Sequence, residues 1–64
     1  MERQDRLTAI EGIIIDTMVE NYRQYGTMNN MSPEDVDKLI SDNVQGVNHM
    51  AHLVSERIDA KLFP

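Results

Sequence analysis

Apolar residues recur along the first 25 positions of the chain at intervals of three and four, the period of one helical face. Ile15 and Val19 widen this face on one flank, so that it covers about half of the helix circumference. No proline interrupts the stretch, and Gly26 follows it where a left-handed residue commonly ends a helix. The pattern predicts a first helix over about residues 3–25 and a turn over 26–32. The row consists of Leu7, Ile10, Ile14, Met18, Tyr22 and Tyr25.

A second helix is predicted from the start signals that follow this turn. Ser32 is a suitable N-cap, Pro33 fits the first helical position, and Asp35 stands where the acid of a capping box belongs. Because the apolar phase is the same on both sides of Gly46, we expect one continuous helix over about residues 33–61. Its apolar row consists of Val36, Leu39, Ile40, Val44, Val47, Met50, Ala51, Val54, Ile58 and Leu62.

A short turn between two helices of similar length predicts an all-α antiparallel hairpin, forming a single domain over residues 1–64. A chain of this size has a thin core, and without cysteine it cannot be stabilised by disulfides. Two helices also leave part of the wide first face uncovered. We therefore expect a homodimer that completes a four-helix bundle. The expected dimer core consists of Leu7, Ile10, Ile14, Met18, Val44, Val47, Met50, Val54 and Ile58.

The charge and hydropathy of the chain indicate which classes of partner and which cellular location to expect. Eleven acidic residues against six scattered basic ones leave a net charge of -5, whereas a phosphate-backbone binder needs a basic stripe. The longest apolar run, Ile13 to Ile15, is far shorter than the ~20 residues of a spanning helix. The charged N-terminal stretch is also unlike a signal peptide. We therefore expect a cytoplasmic protein that binds neither nucleic acid nor membrane.

The hairpin layout keeps one nucleic-acid alternative open. In size and layout it is similar to the plasmid-encoded Rop-type hairpins, although it shares no sequence motif with them. That resemblance implies an RNA regulator that uses a convex helical face, and the acidic charge argues against it.

His49 and His52 come closest to a metal site. With Glu56 they lie on an arc opposite the apolar row, where we expect them to be exposed. Glu56 is two helical turns from His49, so the three side chains cannot easily converge on one ion. We expect a hydrated polar face without metal or cofactor. The alternatives are a metal- or ligand-binding dimer that uses both histidines, and a weak pH dependence of partner binding.

We expect the loop end of the hairpin to bind another protein. Tyrosine and methionine side chains near the turn suit an adaptable interface, and nearby acids would steer the partner. The predicted protein-binding residues are Tyr22, Tyr25, Met28, Met31, Asp37 and Asp42.

The sequence contains no recognisable catalytic motif. Ser41, Ser55 and Thr17 have no base held by an orienting group, and the three glycines are isolated, so no phosphate loop is present. We therefore expect a small acidic non-enzymatic protein that self-associates and serves as an adaptor, assembly factor or inhibitor. Proteins of this kind are frequent in phages and mobile elements, which suggests a phage protein.

Overall fold

A computed structural model of the chain describes residues 2–64. Over these residues it contains two helices, α1 (Arg3–Met28) and α2 (Pro33–Leu62), and no strand. Contacts between Arg23 and Asp37 near the turn, and between Arg6 and Asp59 at the other end, show that the helices run antiparallel. The all-α helical hairpin predicted from the sequence is confirmed.

The first helix ends three residues later than predicted, because Gly26 does not end it. Gly26 is buried, and a Cβ atom at this position would overlap the Val36 side chain of α2. The left-handed residue is Asn30, with φ 56°. Its N–H donates to the Thr27 carbonyl at 3.3 Å, and the Met31 N–H donates to the Gly26 carbonyl at 2.9 Å. This is a Schellman ending, with asparagine in the position that glycine usually takes.

The start of α2 follows the sequence prediction closely. The Ser32 hydroxyl accepts a hydrogen bond from the Asp35 backbone N–H at 3.1 Å, and Pro33 occupies the first turn. These contacts satisfy one of the free N–H groups at the helix start. The helix then continues through Gly46 without a break, as expected from the apolar phase.

The contact between the helices is a narrow seam. Its buried apolar residues are Leu7, Val36, Val47 and Ala51. Two polar residues, Ser55 and Asp59, are buried as well, and the apolar row of the sequence did not include them. The partly exposed members of the predicted dimer core are Ile10, Ile14, Met18, Val54 and Ile58.

Three residues of the predicted α2 row lie outside the seam: Val44 is 43% exposed, Met50 49% and Leu62 66%. The physical reason is that one helix covers only a stripe of its neighbour, so a wide apolar face keeps its flanks in solvent. Within residues 2–64, neither helix combines the length and the apolar character that crossing a membrane requires. Contact between the two helices thus does not account for these exposed apolar side chains.

Candidate functional site

His52 links α2 to α1 on one flank of the seam. Its Nδ1 lies 2.7 Å from Oε1 of Glu11, and its Nε2 lies 2.5 Å from Oε1 of Glu56. A neutral imidazole carries one N–H group, so only the doubly protonated ring can donate to both carboxylates. The arrangement stabilises His52 in its charged form.

The same contacts shift the titration of the ring. The hydrogen bond with Glu11 is the main cause that raises the pKa of His52 above its ordinary value of 6.5, and the charge of Glu56 adds to it. Partial desolvation and the positive charge of Arg3 oppose the shift. The buried Ser55 hydroxyl supports the network, since it lies 2.8 Å from the His52 carbonyl oxygen and 3.3 Å from Oε1 of Glu11.

The sequence showed only part of this network. His52 and Glu56 contact each other at the i, i+4 spacing that makes two side chains neighbours on a helix, a signal that is visible in the sequence. Glu11 was missed, because its place beside His52 depends on the axial alignment of the two helices. The prediction that this arc faces solvent holds for His49, which is exposed, whereas His52 is exposed but also pairs with α1.

The stability of the hairpin is expected to fall as the pH rises above 6.5, the ordinary pKa of histidine. Because the pKa of His52 is raised in the folded chain, its contribution is complete below the ordinary value of 6.5 and is lost as the pH passes through the folded value. Urea unfolding at several pH values, with the His52 pKa followed by NMR, measures this.

Two glutamine substitutions make the pH test specific. His52→Gln should flatten the pH dependence over this range, whereas His49→Gln should leave it unchanged, since His49 lies outside the network. A profile that changes equally in both variants would rule out the link through Glu11 and Glu56.

Asp59 forms a second polar cluster at the end of the hairpin opposite the loop. Its Oδ1 accepts a hydrogen bond from Nε of Arg6 at 2.8 Å, and its Oδ2 lies 3.4 Å from Nε of Arg3. The hydrogen bond from Arg6 is the main cause that lowers the pKa of Asp59. The Arg6 guanidinium also lies 4.4 Å from the centre of the Phe63 ring, a cation–π contact. This cluster holds the two helix ends together and satisfies the buried carboxylate.

Neither polar cluster provides a metal site within one hairpin. In the part of the chain that the structure describes, His, Asp and Glu side chains form no group of three or more that could hold an ion. Around His52 the reason is geometric, since its two carboxylates contact different ring nitrogens. Ser55 also directs its hydroxyl to acceptors other than the ring nitrogens. The network can hold a proton and join two helices.

The predicted tyrosines and methionines of the loop end line different grooves. Tyr22 and Tyr25 line a groove between α1 and α2. Met28, which is 82% exposed, and the partly buried Met31 line two other grooves, and Arg23 forms a wall of both.

Arg23 also lies at the loop end, although it was not among the protein-binding residues predicted from the sequence. Its guanidinium lies 3.6 Å from Oδ1 of Asp37, and both side chains are exposed. Asp42 is exposed and makes no ion pair within residues 2–64. The methionine side of the loop end thus combines an exposed apolar side chain with an exposed ion pair.

Comparison with known proteins finds no relative. No protein-family model, no curated protein and no solved structure matches the chain.

Proposed function

We propose that the protein is a non-enzymatic helical protein that self-associates and binds another protein through its loop end. In this function it would serve as an adaptor, assembly factor or inhibitor. The observation that carries the proposal is the large share of apolar side chains that the hairpin leaves exposed. These exposed residues are Ile13, Tyr25, Met28, Val44, Met50, Leu53, Leu62 and Phe63.

The small seam supports self-association. Four buried apolar residues give a hairpin little hydrophobic stabilisation, and a chain of this size buries only about 60% of its unfolded surface. A second hairpin would cover the flanks that one helix cannot, including Met50 and the half-buried Val54 and Ile58. Exposed apolar patches of this kind are typical of interaction surfaces.

Binding of another protein is assigned to the methionine side of the loop end. Met28 stands 82% exposed beside Arg23, and the Arg23–Asp37 pair supplies both signs of charge at its edge. A flexible thioether surrounded by polar groups suits a surface that adapts to a partner. An exposed pair contributes little to folding stability, so it is free to exchange partners on binding.

Light scattering across a range of concentrations tests self-association. We expect a mass of about twice the 7.4 kDa chain. Met50→Glu should weaken association by at least about tenfold, because it would replace an apolar side chain of the proposed contact surface with a charged one. Gln45→Glu, another exposed position of α2, is the control and should keep the dimer. A folded chain of monomer mass at every concentration would contradict the proposal.

Binding to another protein is tested separately, with variants that leave the dimer intact. Proteins captured by the wild type from an extract of the organism that encodes it should be lost with Met28→Glu and with Arg23→Glu. Gln4→Glu, at the opposite end of α1, serves as the matched control. If all four proteins capture the same set in equal amounts, the loop end is not the binding surface.

A further inference from the structure

One face of α2 points away from the seam and combines apolar and charged side chains in a regular row. We call it the outer row; it consists of Asp35, Leu39, Asp42, Gly46, Met50, Leu53 and Arg57. Its members follow one another at intervals of three and four, so they share one helical face. Leu39 is partly exposed and the other six are exposed. None of the seven belongs to the buried seam.

The outer row is symmetric in position about Gly46. Leu39 and Leu53 lie seven residues to either side of it, and Asp35 and Arg57 lie eleven residues to either side. When a helix packs antiparallel on its own copy across a two-fold axis, residues equidistant from the axis face each other. An axis at Gly46 would place Leu39 on the partner subunit's Leu53, and Asp35 beside the partner subunit's Arg57. The same axis would place Asp42 beside the partner subunit's Met50.

The charges of the row distinguish this orientation from the parallel one. In a parallel pair each residue meets its own copy, so Asp35 and Arg57 would each face a like charge, which is unfavourable. In the antiparallel pair both become opposite-charge contacts, and each forms twice by symmetry. Arg57 is available for such a contact, since within residues 2–64 it makes no ion pair.

Gly46 suits the crossing point of two helices. It is exposed, and a Cβ atom built there would meet nothing within 4 Å. A glycine in a helix interior is unfavourable relative to alanine, and the single hairpin gives it no compensating contact. The absence of a side chain at Gly46 would allow a second helix backbone to approach closely at this point.

The ends of the hairpin also match in this orientation. At the C-terminal end of α2, a groove is lined by Val54, Ile58 and Leu62, with Arg57 and Lys61 at its side. Antiparallel pairing brings the first turn of the partner subunit's α2 towards this groove. The apolar groove and its two cations would then meet the acidic first turn of the partner's α2.

We propose that two copies of this chain associate through the outer row of α2, antiparallel, with Gly46 at the two-fold axis. The inference rests on the proposed self-association and adds the contact surface and the orientation.

Single-cysteine crosslinking tests the axis, because the natural chain has no cysteine. In Gly46→Cys the two thiols would lie at the crossing point, within reach of a disulfide, which requires Cα atoms about 4.4–6.8 Å apart. Mild oxidation should convert most of this variant to a covalent dimer. Gly12→Cys, at an equally open glycine of α1, should crosslink at least about tenfold more slowly.

The outcomes separate the orientation from self-association itself. If the wild type has dimer mass but Gly12→Cys crosslinks as fast as Gly46→Cys, the axis is wrong and self-association stands. A wild type of monomer mass would overturn both.

Charge reversal tests the orientation without touching Gly46. Asp35→Arg and Arg57→Asp should each raise the dimer dissociation constant about tenfold, and the double variant should return it to within about threefold of the wild type. Glu34→Arg is the matched control for Asp35, because it removes a similar acid from the first turn of α2 but lies off the outer row. A double variant no tighter than its single variants would overturn the pairing.

Discussion

Replacing Leu7 with alanine is expected to lower the free energy of unfolding by about 2–5 kcal/mol. Leu7 is 3% exposed and lies in the seam, so the substitution removes apolar contact and leaves a cavity between the helices. A core of this size seldom supplies more than roughly 3–5 kcal/mol, and the variant should therefore be largely unfolded. Urea unfolding followed by circular dichroism at one fixed concentration measures the change.

Ile13→Ala is the matched control for this substitution. Ile13 is 67% exposed, and its truncation should change the free energy of unfolding by less than about 0.5 kcal/mol. Equal losses for the two variants would mean that the seam is not where the stability of the hairpin resides.

Replacing Gly26 with alanine is expected to destabilise the hairpin by about 1–3 kcal/mol. The added Cβ would overlap the Val36 side chain, so the helices must move apart or Val36 must change rotamer. Gly12→Ala should have the opposite sign, since its Cβ meets nothing within 4 Å and alanine favours the helix by up to ~1 kcal/mol. Thermal unfolding of both variants checks the two signs together.

A double substitution separates this explanation from a turn effect. If overlap with Val36 is the cause, Val36→Ala should cost less in the Gly26→Ala background than in the wild type. If the destabilising effects of Gly26→Ala and Val36→Ala simply add, overlap with Val36 is not the cause. Gly26 would then act through the backbone of the turn. Asn30→Gly provides a check on the turn itself, and it should be well tolerated because Asn30 holds the left-handed conformation.

The two polar clusters bear on function through the register of the hairpin. The pairs Arg6–Asp59 and Glu11–His52 fix the axial register of α1 against α2 at two points. That alignment decides which residues of α2 are buried and which form the outer row. A change that loosens the clusters, such as deprotonation of His52, should therefore also weaken the proposed dimer.

The sequence by itself determined the local structure of this protein. The period of the apolar residues predicted both helices, and Ser32 with Pro33 marked the start of α2, because capping and helix formation depend on near neighbours. The continuity of α2 through Gly46 followed from the same period. The end of α1 was predicted three residues too early. A glycine after an apolar row can either end a helix or allow close contact with a neighbouring helix, and the sequence does not distinguish the two.

The tertiary structure alone decided what the helices present to each other. Gly26 became a contact point for Val36, while Ser55 and Asp59 were buried and Val44 and Met50 were left in solvent. The physical reason is that an apolar face of half the circumference is wider than one neighbouring helix can cover. Which stripe of that face is buried depends on the rotation and axial register of the two helices, and long-range contacts such as Glu11 with His52 set these.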